Sequence, residues 1–358
     1  MDIITIIVLI FSILGALDYL LGSRFGLGKE YEKGFMLLGT MALTMIGMII
    51  ISPFIADILR PFFDFVSNVL HIDASIIPAS LFANDMGGAP LAVEVAHNDK
   101  MGLFNGLVVS SMMGCTISFT IPFALGMVHK DQHRELLLGL LCGIVTIPLG
   151  CFVSGIMCEI PVLALIIDLL PLVCFSAVIA VGLILFPDMC VKIFSILGII
   201  IKVIIILGLT LGIIRFLSGV EILKGLATVE EGAAVCLNAS IVMTGAFPFM
   251  YVVSKLLSKP LNALGGKIGI NEISAVGIIS SLATSATTYG MMDKMDKKGV
   301  MLNSAFTVSG AFTFASHLAF TIAFNDTYVV PVIVGKLISG LAALIVSNII
   351  YNKLNPCK

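Results

Sequence analysis

The chain has 358 residues, of which 59% are hydrophobic and 12% charged, and its mean hydropathy is +1.13. Because soluble domains carry about 25% charged residues, this composition excludes an ordinary soluble protein and predicts an all-α integral membrane protein, a polytopic helical bundle. The formal net charge of −2 offers no basic patch for nucleic acid.

Apolar runs of about 20 residues recur along the chain, and each is long enough to cross a hydrocarbon layer roughly 30 Å thick. The first run follows Met-Asp rather than a basic region and has no small-residue cleavage pattern, so it predicts a retained helix and not a signal peptide. No soluble domain fits between the runs. The nine predicted crossings are 3–22, 34–52, 102–127, 136–158, 161–186, 193–217, 232–257, 300–324 and 329–350.

Two further segments, 74–96 and 268–292, are poor in large apolar residues and are interrupted by Gly, Pro, Asn, Ser and Thr. We predict that each is a broken helix that re-enters the membrane as a hairpin. Backbone that leaves helical geometry at membrane depth must be buried in protein or line a wet cavity, because lipid cannot satisfy its N–H and C=O groups. Transporters keep their binding sites at such breaks.

The basic residues predict an orientation, since cytoplasmic loops are enriched in Lys and Arg. With the N-terminus outside and nine crossings, the C-terminus lies inside, and most of the twenty Lys and Arg residues fall in inside loops. The alternative of eleven spans puts the basic loop at 129–134 and the acidic loop at 230–231 on less favourable sides. The predicted inside residues are Arg24, Lys29, Lys33, Lys130, Arg134, Lys192, Lys255, Lys259, Lys267, Lys294, Lys297, Lys298, Lys353 and Lys358.

Weak self-similarity at an offset of about 198–200 residues indicates an internal repeat. The string "ANDMGGAP" at 83–90 lies over "ATSATTYG" at 283–290. Within a single transmembrane transport domain, 1–358, we predict a first repeat at about 32–158, linking helices at 160–217 and a second repeat at about 230–355. Five crossings separate the starts of the two copies, so the copies have opposite orientation. This is the inverted-repeat plan of secondary transporters, whose broken helices meet near the midplane.

The first predicted hairpin tip carries a carboxylate, Asp85. A charge at the bilayer centre costs about 2.5–3.5 kcal/mol on insertion scales, so an ionisable residue there is a candidate for function. We predict that Asp85 binds a small cation and that Asn84 supplies an orienting hydrogen bond. Gly87 and Gly88 would permit the close turn. The alternative is that the Asp85 carboxylate caps the half-helix that follows, and both roles can hold together.

The second predicted tip, "SSLATSATTYG", carries hydroxyl groups and no charge. Its candidate binding residues are Thr284, Ser285, Thr287 and Thr288. The alternative is hydroxyl back-bonding within a helix packed through small residues. One charged tip and one hydroxylated tip suit an amino-alcohol-like ligand.

Three other ionisable residues within apolar runs are candidates for a site or for a structural pair. His317, in "TFASHLAF", is either a hydrogen-bonded packing residue or a ligand contact. Asp168 and Lys336 stand at similar depths from the outer ends of their predicted crossings. We therefore predict that these two form a structural ion pair, which would offset the cost of burying each charge.

Several unusual strings occur in a fixed order: "YEKGFMLLG" (31–39), "NDMGGAPLA" (84–92), "GIVTIPLGC" (143–151), "GMMDKMDKKG" (290–299) and "PVIVGKLISG" (331–340). In these strings, and over nearly its whole length, the chain resembles the ethanolamine permeases of ethanolamine-utilisation operons (EutH). The resemblance implies import of ethanolamine across the bacterial cytoplasmic membrane as a carbon and nitrogen source. Ethanolamine is largely protonated at neutral pH, so the resemblance agrees with a carboxylate at the binding site.

Two other functions stay open on the sequence alone: an ion-coupled carrier for another small polar metabolite, and a cation channel whose broken helices form a selectivity filter. The sequence holds no nucleophile–base constellation, metal-ligand cluster or phosphate-binding loop, so we predict neither an enzyme nor a cofactor. The predicted partners are the ethanolamine cation and the lipid bilayer, and a homo-oligomer stays open.

Overall fold

A computed structural model describes residues 3–355, apart from the side chains at 187, 191, 258, 259 and 261–264. Within that part the chain is helical and holds no β-strand, and eight of its helical segments are long and apolar enough to cross a bilayer. The predicted all-α polytopic membrane protein is therefore confirmed. Of the predicted inside residues, Lys358 lies outside the described residues, and so does the side chain of Lys259.

The first half of the chain contains nine α-helices and a π-helical segment. Residues Asn105–Gly114 and Thr116–Thr120, between α6 and α7, wind in wide π-turns. The α-helices are α1 (Ile3–Leu20), α2 (Leu27–Met36), α3 (Leu38–Leu70), α4 (Ile76–Leu81), α5 (Gly88–Val95), α6 (Asp99–Phe104), α7 (Ile121–Met127), α8 (His133–Ile144) and α9 (Ile147–Met157).

The second half begins with two long helices that expose many large apolar side chains, as expected of a surface that faces lipid. These are α10 (Val162–Leu185) and α11 (Pro187–Ser218). The helices that follow are α12 (Val229–Ile268), α13 (Glu272–Ala283), α14 (Ser285–Gly290), α15 (Lys297–Gly310), α16 (Ser316–Asn325) and α17 (Val329–Leu354).

The first predicted interruption is present between α4 and α5. Phe82 and Ala83 are extended, a single 3-10 turn covers Asn84–Met86, and Gly87 has φ +102°. A side chain at Gly87 would overlap Met48 of α3, so both the backbone conformation and the space require glycine. The chain therefore leaves helical geometry at the position where the sequence predicts the first tip.

The second predicted interruption is shorter. Thr284 alone is extended between α13 and α14, and its hydroxyl accepts a hydrogen bond from the Ala286 N–H at 3.3 Å. The Thr288 hydroxyl donates to the Gly277 carbonyl at 2.9 Å, which ties α14 back onto α13. Whether either broken segment re-enters a membrane stays a prediction.

A third interruption corrects the predicted crossing at 300–324. The chain leaves helical geometry between α15 and α16, where Phe312 has φ +61°. The Phe312 and Phe314 N–H groups donate to the carbonyls of Ser281 and Leu282, both at 3.0 Å. These acceptors belong to the last turn of α13, whose carbonyls have no partner within their own helix. The N–H groups at this break and the carbonyls at the end of α13 therefore pair with each other inside the protein.

The buried centre is built from the π-helical segment, α8, α15 and α17. All ten residues of Asn105–Gly114 are buried, and so are the residues of α15 from Lys298 onward. The π-helical segment packs on α4 and α5, while α15 packs on α8, α13 and α17. Both broken helices are therefore held against this centre.

Candidate functional site

Two of the helix breaks meet at a cavity of about 200 Å³. A water molecule occupies about 30 Å³ of liquid, so the cavity has room for a small metabolite with some of its hydration. We call this the Asp85 cavity. Its wall comes from α3, the α4–α5 break, the π-helical region and the α15–α16 break. The lining residues are Thr40, Met41, Thr44, Ala83, Asp85, Met86, Cys115, Phe119, Phe312, Ser316 and His317.

Asp85 is the only acidic residue among the described residues that line this cavity. Its side chain is half-buried, and Ser316, at the start of α16, lines the same cavity. In the described structure Gly87 holds the N-cap position of α5, and no side chain bonds to that helix end. Asp85 thus lines the cavity and is not the N-cap residue of α5.

His317 lies one residue after Ser316 and also lines the cavity. It is 2% exposed, and among the described residues its Nδ1 atom has no hydrogen-bond partner. Burying a polar atom without a partner is unfavourable, so native structures seldom leave one. His317 therefore contributes to the cavity wall an imidazole whose Nδ1 atom is unpaired among the described residues.

Aromatic rings complete one side of the cavity. Phe119 packs edge-on against Phe312 with ring centroids 5.6 Å apart, and Phe312 lies 5.3 Å from the His317 ring. Aromatic faces attract cations, because the ring quadrupole places negative charge above and below the plane. An ammonium group would therefore find an anion on one side and aromatic carbon on the other.

The other residues predicted at the first tip shape the turn. A side chain at Gly88 would overlap Ser110 and the Phe82 carbonyl, so Gly88 permits close packing on the π-helical segment. Asn84 is fully buried beside Asp85, and neither atom of its carboxamide has a hydrogen-bond partner among the described residues. Asn84 does not line the Asp85 cavity.

The structure does not bring the second tip into the Asp85 cavity. Thr284 and Thr287 line a separate cavity of about 220 Å³, together with Glu30 and Lys33, whose side chains pair at 3.3 Å. Ser285 and Thr288 are buried outside both cavities. The two predicted tips therefore line separate cavities.

Residues 1–350 match the family described as "Ethanolamine utilisation protein, EutH". The chain belongs to the EutH family. It is 38% identical to "Probable ethanolamine permease EutH" of Listeria monocytogenes, over 99% of this chain and 95% of the relative. The Escherichia coli protein of the same name is 33% identical, over 98% and 96%. "Uncharacterized protein YxeR" of Bacillus subtilis is 34% identical, over 96% and 92%. No solved structure matches the chain.

In this EutH-family protein the predicted pair of Asp168 and Lys336 is not formed. Asp168 on α10 accepts from the Asp73 N–H at 3.0 Å and from the Asn105 side-chain amide at 2.9 Å. The Lys336 ammonium donates to the Ser111 carbonyl at 2.8 Å. Both side chains are buried, with exposures of 2% and 1%, yet each is held by neutral groups.

Sequence reasoning missed the residues that the third break contributes. Ser316 and Phe312 reach the cavity only because the chain leaves helical geometry after Gly310. Their neighbour His317 was found because an ionisable residue stands out within an apolar run. A serine or phenylalanine in such a run gives no comparable signal, so only the fold shows that they face Asp85.

Proposed function

We propose that this protein is a carrier that binds protonated ethanolamine in the Asp85 cavity and moves it across the bacterial cytoplasmic membrane. Membership of the EutH family and the relatives named "Probable ethanolamine permease" support the substrate. The long apolar helices support a multi-pass membrane protein. The site lies at helix breaks within the membrane-spanning bundle, which is where transporters bind their substrates, and this supports a transporter rather than an enzyme.

The observation that carries the proposal is that Asp85, Ser316 and His317 line one small cavity. Ethanolamine has an ammonium group and a hydroxyl group two carbons apart. The ammonium would bind the Asp85 carboxylate and the Ser316 hydroxyl, because an ion leaving water needs charge-assisted hydrogen bonds in exchange. The hydroxyl would bond to the imidazole of His317. Each polar end of the ligand then has a partner.

The test is uptake of labelled ethanolamine by proteoliposomes that contain the purified protein, with protein-free liposomes as the control for diffusion of the free base. A carrier gives saturable uptake and counterflow, whereas a channel gives ohmic current. Unlabelled ethylamine, which lacks the hydroxyl, should compete more weakly than ethanolamine. Choline should compete weakly too, because its methyl groups block hydrogen bonds to Asp85. Absence of saturable ethanolamine uptake would reject the proposal.

We also propose the orientation with the N-terminus outside and the C-terminus inside, which the distribution of basic residues supports. Single cysteines placed at 129–135 and 293–299 should react only with reagents on the cytoplasmic side, and cysteines at 218–231 only with reagents outside. Cys174 is an exposed native thiol, so the labelling background should lack it. Outside labelling at 129–135 contradicts the proposed orientation.

The inverted repeat remains a proposal that the order of elements supports. In 32–158 the long helix α3 is followed by the broken pair α4–α5, the segment 99–127 and then α8–α9. In 230–355 the long helix α12 is followed by the broken pair α13–α14, the segment 297–325 and then α17. The same four parts occur in the same order in each copy.

A further inference from the structure

The cavity of about 220 Å³ that Thr284 and Thr287 line holds the components of a second cation site. We call it the Glu30 cavity, because Glu30 is the one acidic residue among the described residues of its wall. The wall combines this carboxylate with two aromatic rings and several hydroxyl groups. Glu30 and Lys33 come from α2, Phe247 and Tyr251 from α12, and Thr284 from the break between α13 and α14.

A primary ammonium group already occupies this cavity, and it belongs to the protein. The Lys33 Nζ atom lies 3.3 Å from the Glu30 carboxylate and 4.9 Å from the centre of the Phe247 ring. A carboxylate and a ring face are the two partners that an alkylammonium finds favourable. Ethanolammonium carries the same charged group, a primary ammonium on an alkyl carbon. The Lys33 ammonium therefore marks where the charged end of ethanolammonium would bind.

The contact between Lys33 and Glu30 is weak enough to be exchanged. The two side chains keep 53% and 26% of their surface exposed. An exposed pair three residues apart on a helix contributes little to stability, because water solvates both charges. The Lys33 ammonium can thus move into water at little cost. A ligand ammonium that takes its place exchanges one cation for another, so the charge of the cavity stays the same.

The α13–α14 break supplies a partner for the hydroxyl group of ethanolammonium. The Thr284 hydroxyl accepts a hydrogen bond from the Ala286 N–H at 3.3 Å. A hydroxyl has one hydrogen and two lone pairs, so Thr284 keeps a donor and an acceptor for a ligand. Ser280, one turn earlier on α13, lines the same cavity. A ligand with an ammonium and a hydroxyl would therefore contact both α2 and the break.

The Glu30 cavity and the Asp85 cavity lie against two segments that are bonded together. Phe312, at the α15–α16 break, lines the Asp85 cavity, and its N–H group donates to the Ser281 carbonyl of α13 at 3.0 Å. Ser280, the residue before Ser281, lines the Glu30 cavity. The wall of one cavity is therefore hydrogen-bonded to the wall of the other.

We propose that the Glu30 cavity is a second binding site for ethanolammonium, in which the ligand displaces the Lys33 ammonium from Glu30 and Phe247. This inference rests on the proposed function. The ammonium of the ligand bonds to the Glu30 carboxylate beside the Phe247 ring, and its hydroxyl bonds to Thr284. Lys33 is a competitor tethered to the site, so it weakens binding there.

Protection of a thiol in the cavity wall tests the site. Thr287 is exposed and lines the Glu30 cavity. In purified protein with Thr287→Cys and Cys174→Ser, which removes an exposed native thiol, ethanolamine should slow labelling by a water-soluble maleimide in a saturable manner. The same protein without Thr287→Cys gives the background. Ethylamine, which lacks the hydroxyl, should protect less well than ethanolamine.

Variants on α2 assign the protection to the two charged side chains. Glu30→Gln should raise the half-protecting concentration of ethanolamine about 10- to 100-fold, because a hydrogen bond to a charged partner is lost. Lys33→Met should lower it about three- to tenfold, because the competing ammonium is gone. Glu32→Gln and Lys29→Met are the matched controls, since both residues are exposed on α2 outside the cavity, and they should change nothing.

Protection should persist in Asp85→Asn, because the two sites bind separately. If it disappears there and persists in Glu30→Gln, ligand in the Asp85 cavity alone changes the thiol's reactivity, and the second site is rejected. An unchanged half-protecting concentration in Lys33→Met rejects the displacement, and this variant decides the question if Glu30→Gln does not fold. Saturable uptake by the natural protein without protection rejects the second site and leaves the proposed function intact. Protection without saturable uptake rejects the carrier instead.

Discussion

Replacing Asp85 with asparagine removes the anion of the Asp85 cavity, the proposed ethanolamine site, and keeps its shape. We expect the variant to fold nearly normally, because Gly87 and not Asp85 occupies the N-cap of α5. Ethanolammonium would lose a hydrogen bond to a charged partner, which contributes about 1.5–3 kcal/mol. Since about 1.4 kcal/mol is a tenfold change in a binding constant, affinity should fall about 10- to 100-fold.

The assay is saturable uptake of labelled ethanolamine by proteoliposomes, measured over a series of pH values. The deficit of Asp85→Asn should be largest at acidic pH, where little free base exists to diffuse through lipid without the carrier. Glu94→Gln is a matched control, since Glu94 is an exposed carboxylate on α5 that lies outside the cavity. Asp85→Glu should be impaired as well, because a longer side chain displaces the carboxylate and errors of about 1 Å are costly at a binding site.

A particular outcome would refute this reasoning. If Asp85→Asn misfolds while its folded fraction transports ethanolamine with normal affinity, Asp85 stabilises the helix break and the cation binds elsewhere. Thermal unfolding of the detergent-solubilised protein, measured beside uptake, separates the two results.

Three further predictions follow from individual contacts. His317→Phe should weaken ethanolamine binding up to about tenfold, the contribution of one neutral hydrogen bond, and leave competition by ethylamine unchanged. Gly87→Ala should lower the melting temperature and the folded yield, because a φ of +102° disfavours a side chain and Met48 fills the space. Gly39→Ala is the control, since a side chain there meets no neighbour within 4 Å. The double variant Asp168→Asn with Lys336→Met should fold no better than Asp168→Asn alone, because these two side chains have separate partners. A recovered yield in the double variant would show that they pair.

The membrane helices and two of the three breaks follow from local sequence. Long apolar runs have no alternative to helices that span a bilayer, because the backbone must satisfy its own hydrogen bonds in lipid. The stretch 82–88 contains Asn, Asp and two adjacent glycines, which locally favour turns. Only glycine adopts the conformation of Gly87 at low cost. These features act over a few residues, so a sequence displays them directly.

The third break could not be predicted in the same way. The stretch "SGAFTFAS" at 309–316 has one glycine and no proline, and its apolar residues continue the pattern of a crossing helix. The helix is interrupted because carbonyls at the end of α13 accept the N–H groups of Phe312 and Phe314. That exchange depends on a segment about 30 residues earlier in the chain, and a local pattern does not contain it.

Asp168 and Lys336 lie at similar predicted depths but do not pair, so depth in the membrane does not by itself predict side-chain contacts. Two residues at similar heights in a bundle can point to different neighbours, because the side-chain direction depends on how each helix is rotated about its axis. The rotation of α10 directs Asp168 to Asn105 at the start of the π-helical segment, and that of α17 directs Lys336 to Ser111, six residues further on. The lysine therefore bonds to a neutral carbonyl and not to the carboxylate at its own height.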